Sequence, residues 1–234
     1  MTTAHPPAAT VASLVIAMDG PSGAGKSSVS RAVATRLGLR YLDTGAMYRA
    51  MTWWMLEHAV DVHDPAAIGA SAAEPEIAVG TDPVTPTISV DGADVAMPIR
   101  TRAVSAAVSL VAAVPAVRAR LVAMQQELIG TGGIVVEGRD IGTVVASGAA
   151  VKVFLTAHPN ARAVRRTGEL AHDPAATVAA TEVELARRDA IDSSRATSPL
   201  VKATDAIEVD TTPLSLDEVV EAVLRLVKER VGVG

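Results

Sequence analysis

Short, continuous apolar runs alternate with stretches of helical periodicity along most of the chain. The apolar runs are too short for helices and indicate buried strands at residues 14–18, 134–136, 151–155 and 207–209, with a further candidate at 39–42. Strands that alternate with helices predict a parallel sheet with helices packed on both faces. The expected fold class is therefore α/β.

Helical periodicity is clearest after residue 28 and near the C-terminus. Apolar residues recur at helical spacing up to Leu37, and Gly38 is typical of a helix C-terminus. Ser215-x-x-Glu218 has the pattern of a capping box and precedes an apolar helical face. By the same pattern, Thr181-x-x-Glu184 predicts a second capping box.

Residues 61–100 differ in character from the flanking segments, because they are rich in proline. Apolar and polar residues alternate over 87–90, and Asp91-Gly92 is a typical hairpin turn, so we expect a small antiparallel insert here. Residues 102–128 then predict a helix that is interrupted at Pro115, which lacks the N–H that a helix interior needs.

Composition is typical of a single globular domain. The chain has 234 residues, and its core must be packed by Ala, Val, Leu and Ile because aromatic residues make up only 2%. The lack of cysteine excludes disulfides and thiolate metal sites and fits the cytoplasm. Residues 1–13 lack the basic start of a signal peptide, so we expect a flexible tail before a domain at 14–234.

Charge and hydropathy narrow the expected partners. No apolar run approaches the ~20 residues needed to span a bilayer, so no membrane partner is expected. A net charge of -5 argues against a nucleic-acid partner, which would favour a basic surface. We also expect a monomer, because no exposed apolar stripe is evident in the sequence.

One motif carries a specific chemical expectation. Gly20-Pro21-Ser22-Gly23-Ala24-Gly25-Lys26-Ser27 matches G-x-x-x-x-G-K-[ST] and lies between a predicted strand and a predicted helix. The glycines let backbone N–H groups approach phosphate oxygens, and the helix N-terminus favours their negative charge. Lys26 can reach the β and γ phosphates, and the Ser27 hydroxyl can ligate Mg2+. Residues 20–28, ending at Ser28 and called the phosphate loop below, therefore predict binding of a nucleoside triphosphate; the alternative is a glycine-rich turn with a chance lysine.

The phosphate loop alone does not establish what happens to the triphosphate. A regulatory GTPase or an ATP-driven motor would carry the same loop, together with a device that positions water or switches conformation. Guanine-specific proteins usually also have an Asn-Lys-x-Asp run, which the sequence lacks. A kinase needs a second pocket for the phosphate acceptor.

Three further segments bear on this choice: Tyr41-Leu42-Asp43-Thr44-Gly45-Ala46-Met47-Tyr48-Arg49, Glu137-Gly138-Arg139-Asp140-Ile141-Gly142-Thr143 and Arg188-Asp189-Ala190-Ile191-Asp192-Ser193-Ser194-Arg195. With the phosphate loop, in this order and at these separations, they make the chain resemble the bacterial cytidylate kinases, which are P-loop nucleoside monophosphate kinases. The resemblance extends from about residue 14 onward. It implies a P-loop NTPase-type sheet, an antiparallel nucleoside-monophosphate lobe at 61–100 and a short helical lid at about 157–190.

The resemblance further implies transfer of the terminal phosphate of ATP to CMP or dCMP with Mg2+, while UMP and AMP stay open as acceptors. It would assign the acceptor phosphate to Thr44, Arg49, Arg139 and Arg195. It would assign cytosine to Ser109, Arg118 and Asp140, and the sugar hydroxyls to Arg188 and Asp192. ATP would be bound by the phosphate loop and by Arg162, Arg165 and Arg166 of the lid. The catalytic residues would be Lys26, Arg139, Arg162, Arg166 and Arg188.

These residue types also have structural explanations, which the sequence leaves open. Thr44 and Arg49 could cap and decorate a helix after Asp43, and Ser109 could bond to a helix carbonyl. Arginines on helices are commonly solvated, which applies to Arg118, Arg162, Arg165 and Arg166. A surface row of ion pairs at i, i+4 and i+7 would account for Arg188, Asp192 and Arg195. For Asp140 a functional role is favoured over a structural one, because the residue follows a buried strand at the end where α/β sheets bind ligands.

The expected chemistry needs no general base, since the acceptor phosphate oxygen is already an anion, and none of the five histidines lies in these motifs. Catalysis would come from positioning and charge neutralisation, with the insert and lid closing to exclude water. Glu137 stands where many relatives carry Asp. Its carboxylate leaves a water-mediated role at Mg2+ open.

Overall fold

The structure, a computed structural model, describes residues 11–169 and 176–232. Its strands are β1 Val15–Asp19, β2 Arg40–Asp43, β3 Ile77–Val79, β4 Ile88–Val90, β5 Ala93–Asp94, β6 Ile134–Gly138, β7 Val151–Thr156 and β8 Ile207–Asp210. Its α-helices are α1 Lys26–Leu37, α2 Thr44–Glu57, α3 Pro65–Ser71, α4 Arg102–Val111, α5 Pro115–Ile129, α6 Pro159–Glu169, α7 Val178–Ser194 and α8 Leu216–Val231. Shorter helical turns occupy Val11–Ser13, Pro98–Arg100 and the π-helical segment Ile141–Val145.

The main sheet has five parallel strands in the order β2-β6-β1-β7-β8. Side chains of β1, the central strand, alternate between two cores. Ile16 and Met18 pack with α1 and α8, whereas Ala17 belongs to the core that contains α2 and α5. The predicted parallel sheet with helices on both faces is therefore confirmed.

The insert, residues 61–100, contains a three-stranded antiparallel sheet in the order β3-β4-β5. Asp91 and Gly92 form the turn between β4 and β5 with φ angles of 50° and 78°, as a tight hairpin requires. The predicted antiparallel insert is confirmed. Helix α3 was not anticipated, although Asp64 caps it by accepting a hydrogen bond from the Ala66 N–H at 2.9 Å.

Pro115 separates two helices, as the sequence predicts, because it begins α5 as the first residue. The axes of α4 and α5 differ in direction by 98°. Within the described ranges no single helix is long and apolar enough to cross a membrane, whereas the bent pair α4 and α5 passes that test on length and composition alone.

One helix start was placed wrongly. The Ser215 capping box is present, but α7 begins at Val178, where the Thr177 side chain accepts a hydrogen bond from the Ala180 N–H at 3.2 Å. Thr181 is buried inside the helix and its hydroxyl bonds to Thr167, so it caps nothing. The capping-box pattern favoured the wrong threonine, because Thr177 is followed three residues later by Ala180 and caps the helix with its hydroxyl alone.

Parts of two expected segments lie outside the described residues. These parts are residues 1–10 of the expected tail and residues 170–175 of the expected lid. Val11–Ser13, the end of the expected tail, form a 3-10 turn against which the backbone of Gly132 and Gly133 packs.

Candidate active site

The phosphate loop joins β1, at the centre of the sheet, to the N-terminus of α1. Gly20 has φ of 144°, and a Cβ atom there would lie 2.1 Å from the Leu155 carbonyl oxygen, so no other residue fits. Lys26 is buried and its Nζ donates to the Pro21 carbonyl at 2.8 Å. Burial and the nearby Arg139 lower the pKa of Lys26 to about 7. The negative charge of a triphosphate in the loop would raise this pKa again and so favour the protonated, charged lysine.

A cavity of about 440 Å³ extends from the phosphate loop to the insert and to α4, α5 and α7. It brings together most of the candidate residues, which line it as Ser22, Gly23, Gly25, Lys26, Ser27, Ser28, Thr44, Arg49, Ser109, Arg118, Arg139, Asp140, Arg166, Arg188, Asp192 and Arg195. The remaining candidates do not line it; they are Gly20, Pro21, Ala24, Arg162 and Arg165. The cavity is large enough for a nucleotide-sized ligand.

Arg118 on α5 and Asp140, two residues after β6, form a buried ion pair in the cavity lining. The Arg118 guanidinium donates to the Asp140 carboxylate, and the two side chains are only 3% and 5% exposed. Arg118 also lies over the Tyr48 ring, 5.4 Å from its centroid, and Ser109 is buried nearby in the lining. The alternative that Arg118 is a solvated surface residue is therefore wrong.

Four arginines line the cavity, Arg49, Arg139, Arg188 and Arg195, and they are called the arginine cluster below. Burial, followed by the charge of a neighbouring arginine, lowers the pKa of Arg49 to about 9 and that of Arg188 to about 10. Asp192 contacts Arg139 at 3.2 Å and Arg195 at 3.7 Å. Asp43, Asp140 and Asp189 also act on the cluster through their charges, but among the described residues only Asp192 forms ion pairs with it. The cluster therefore favours a bound anion.

Unused hydrogen-bond donors in the arginine cluster support the same conclusion. The Nε atom of Arg188 and the Nε and Nη2 atoms of Arg195 are buried and have no acceptor among the described residues. Buried donors without a partner are rare unless a ligand or water satisfies them. Since Arg188, Asp192 and Arg195 face the cavity, the alternative of a surface ion-pair row is wrong.

The start of α2 resolves a further alternative. Asp43 caps this helix by accepting from the Ala46 N–H at 2.9 Å. Thr44 is the first helical residue, and its hydroxyl donates to the Glu137 carbonyl at 2.7 Å. Arg49 donates to the Ile99 carbonyl at 3.1 Å, which links α2 to the insert. The idea that Thr44 caps α2 is therefore wrong.

Glu137 is the penultimate residue of β6, close to the phosphate loop, and is 3% exposed. Its carboxylate accepts from the Ser27 hydroxyl at 3.1 Å and from the Tyr41 hydroxyl. Burial, together with the negative charge of Asp43, raises the pKa of Glu137 to about 7. A carboxylate and a hydroxyl at the phosphate end of the cavity are oxygen donors of the kind that Mg2+ prefers, so these residues fit that ion.

Helices α6 and α7, which fall in the segment expected to form the lid, contact the phosphate loop at Ser22. Arg162 donates to the Ser22 carbonyl at 3.0 Å and to the Asp189 carboxylate, and Asp189 also accepts from the Ser22 N–H at 3.4 Å. Arg165 points elsewhere and donates to the Thr211 hydroxyl at 2.8 Å. The alternative of an exposed basic face is therefore wrong for Arg162, which is 8% exposed.

Sequence reasoning missed several residues that support the site, among them Asp19, Tyr41, Tyr48 and Asp189. Tyr41 and Tyr48 lie in a segment that was already recognised, but aromatic residues there are equally well explained as core. Asp19 comes directly after the predicted strand 14–18 and directly before the phosphate loop. A charged residue at this position was the signal that could have identified it as part of the site.

A phosphate loop and an arginine cluster within one cavity define the class, a P-loop protein with one site for a triphosphate and another for a second anion. The family model for cytidylate kinase matches residues 16–229. Cytidylate kinase of Streptomyces avermitilis is 58% identical over 95% of this chain and 96% of its own, and that of Geobacillus kaustophilus is 48% identical over 93% and 97%. The chain therefore belongs to the cytidylate kinase family.

A solved structure is also similar in fold. A crystal structure of a protein from Eubacterium ventriosum has a TM-score of 0.50 at 10% identity, and the match covers 93% of this chain and 99% of that one. At this level of identity the similarity supports only the architecture of the sheet and helices.

Proposed function

We propose that the chain transfers the terminal phosphate of ATP to CMP or dCMP, giving ADP and CDP or dCDP. The observation that carries this proposal is the buried pair of Arg118 and Asp140, which shares one cavity with the phosphate loop and the arginine cluster. Membership of the cytidylate kinase family supports the same reaction.

The buried pair matches the hydrogen-bonding edge of cytosine. The Asp140 carboxylate accepts from the exocyclic amine, while Arg118 and Ser109 donate to the ring N3 and O2 atoms. Uracil carries a carbonyl oxygen in place of that amine, and this oxygen would face the carboxylate with no proton between them. The site therefore favours cytosine over uracil.

The arginine cluster accounts for the acceptor phosphate and sugar. Arg49, Arg139 and Arg195, with the Thr44 hydroxyl, bind the phosphate, which carries close to two negative charges. Arg188 and Asp192 lie on α7 within the same lining and bind the sugar hydroxyls. The insert serves as the nucleoside-monophosphate lobe in this arrangement, and α6 and α7 serve as the lid.

ATP binds with its phosphates against the backbone N–H groups of the phosphate loop. Lys26 leaves the Pro21 carbonyl and contacts the β and γ phosphates, while Arg162, Arg165 and Arg166 of the lid reach the donor as α6 closes. The acceptor oxygen is already an anion, so no base removes a proton. Lys26, Arg139, Arg162, Arg166 and Arg188 orient the two phosphates in line and stabilise the transferring charge.

A magnesium ion on ATP would neutralise charge on the β and γ phosphates. Ser27 is the residue placed to ligate it, and Glu137 is placed to bind its water ligands. We further infer that the enzyme works as a cytoplasmic monomer on small nucleotides, without nucleic acid. The lack of cysteine supports the cytoplasmic location, and the net charge of -5 argues against nucleic acid. The monomer is supported by the lack of an evident exposed apolar stripe in the sequence.

A panel of monophosphates tests the proposal. With ATP and Mg2+, we expect kcat/KM for CMP and dCMP to exceed that for UMP, AMP and GMP. Preference for a purine nucleotide, or hydrolysis of ATP with no phosphorylated acceptor, would contradict it.

A further inference from the structure

Asp19 is a buried acid that the proposed mechanism leaves unused. It ends β1 directly before the phosphate loop and is 4% exposed. Its Oδ1 atom accepts from the Ile141 N–H at 2.8 Å, and its Oδ2 atom accepts from the Gly142 N–H at 2.7 Å. Both carboxylate oxygens are therefore committed to two consecutive backbone amides.

These two amides begin the π-helical turn that follows Asp140. The first N–H groups of a helical turn lack partners within it, and an aspartate at the preceding position would ordinarily accept from them. Asp140 occupies that preceding position, yet its side chain makes no capping bond. Instead its backbone carbonyl accepts from the Val144 N–H at 2.9 Å, and its carboxylate pairs with Arg118.

The packing around the turn leaves little room for an alternative. A Cβ atom on Gly142 would lie 3.2 Å from Cδ of Lys152 and 3.3 Å from Oδ2 of Asp19. Lys152 itself pairs with Asp205 at 2.8 Å, so it does not neutralise Asp19. The Asp19 carboxylate is thus satisfied mainly by the two N–H groups of the turn.

We propose that Asp19 is a positioning residue for substrate recognition: it caps the π-helical turn in place of Asp140 and so leaves the Asp140 carboxylate free for Arg118 and the acceptor base. This inference rests on the proposed function, because it assumes that Asp140 binds cytosine. It also connects the two ends of the site, since the residue that fixes the base-binding aspartate is covalently attached to the phosphate loop.

Asp19→Asn tests the proposal, because the asparagine has the same shape but only one oxygen to accept with. We expect KM for CMP to rise about tenfold, since the charge-assisted bonds to the turn are weakened. KM for ATP should rise by much less, because Asp19 acts on Lys26 only through its charge. Asp64→Asn, which changes another capping aspartate remote from the cavity lining, is the matched control and should change neither KM.

A double mutant separates positioning from a general structural role. If Asp19 acts through Asp140, the combination Asp19→Asn with Asp140→Asn should raise KM for CMP no further than Asp140→Asn alone. Equal rises in both KM values for Asp19→Asn, or additive effects in the double mutant, would overturn the proposal. Should Asp19→Asn fail to fold, Gly142→Ala displaces the same turn and carries the same expectations.

A crystal structure of Asp19→Asn, or of Gly142→Ala in its place, keeps this inference distinct from the proposed reaction. If the wild type phosphorylates no cytosine nucleotide, the proposed function fails. The structure of the variant would still show whether Asp140 replaces Asp19 as the residue that caps the turn. We expect the Asp140 carboxylate to turn toward the amides of Ile141 and Gly142 and away from Arg118. An unchanged contact between Arg118 and Asp140 would overturn the positioning role.

Discussion

Arg118 and Asp140 illustrate what a buried charge pair does in this molecule. A pair of this kind is seldom a net source of stability, because removing two charges from water costs about as much as their attraction returns. The Nε atom of Arg118 even lacks a partner among the described residues. The pair is therefore better explained by ligand recognition than by stability of the fold.

Asp140→Ala should separate these two contributions. We expect KM for CMP to rise and kcat to fall, by roughly 1.5–3 kcal/mol of lost charge-assisted hydrogen bonding, with ATP binding almost unchanged. The variant should also unfold more easily, by about 3 kcal/mol, because Arg118 stays buried without its partner. Steady-state kinetics and urea denaturation measure the two effects.

The combination of Arg118→Met with Asp140→Leu serves as the control for that variant. It should recover most of the free energy of unfolding without restoring CMP binding, since two apolar side chains fill the buried space. An equal loss of ATP affinity in Asp140→Ala would instead assign this residue to the fold.

Glu137 gives a prediction about pH. Its pKa in the folded protein is about 7, above its ordinary value of 4.5. The folded state therefore binds this proton more tightly than the unfolded state does, and the free energy of unfolding decreases as the pH rises from about 4.5 through about 7. Glu137→Gln removes the ionisable group and therefore removes this decrease in the free energy of unfolding.

Thermal denaturation of Glu137→Gln at two pH values provides the measurement. The melting temperature should exceed that of the wild type at pH 8, with about 2–4 °C for each kcal/mol gained, and the difference should shrink at pH 5. Activity with Mg2+ should fall at the same time. A melting temperature that is unchanged or lower at pH 8 would contradict this account.

At the scale of elements, the insert packs into the core that contains α2 and α5, and hydrogen bonds near the cavity also attach it to β2 and α1. The Tyr41 N–H in β2 donates to the Thr81 carbonyl at 2.8 Å, and Arg31 on α1 donates to the carbonyls of Pro83 at 2.8 Å and Val84 at 2.9 Å. Arg31 is exposed, so these bonds compete with water. They are well placed to limit opening of the insert without preventing it.

Arg31→Lys tests this attachment, because lysine keeps the charge but lacks the planar fork whose Nε and Nη2 atoms donate to the two carbonyls. We expect faster amide hydrogen exchange at residues 76–90, by less than about tenfold, since two exposed bonds contribute roughly 0.5–1.5 kcal/mol. Arg36→Lys on the same helix, which faces Asp217 and Glu221 of α8, is the control. Equal exchange in the two variants would rule out the attachment.

Elements with strong local signals were predictable, and those decided by tertiary contacts were not. The buried strands, the helix break at Pro115 and the turn at Asp91-Gly92 follow from residue type alone. Thr177 rather than Thr181 caps α7, because Thr181 packs between α6 and α7. Nothing in periodicity distinguishes these two threonines.

At the scale of the whole molecule, the candidate residues come from segments far apart in the chain, and their meeting in one cavity depends on the parallel sheet. At the strand ends Asp19 is in register with Gly138, and Asp43 with Glu137, as expected for a parallel sheet. The bonds of Asp19 to the turn after Asp140 were not predictable, because a buried acid at a strand end has many possible partners.

The order of the main sheet also has a consequence for synthesis of the protein. Within the described residues β1 pairs only with β6 and β7, and β2 pairs only with β6, so neither strand has a partner before residue 134. A ribosome making about 5–20 residues per second needs on the order of 6–25 s to extend from β1 to β6. During that interval two apolar strands have unpaired edges, and the phosphate loop cannot take its shape. Co-translational folding of the sheet must therefore wait for the second half of the chain, and chaperones that cover short apolar segments would act in this interval.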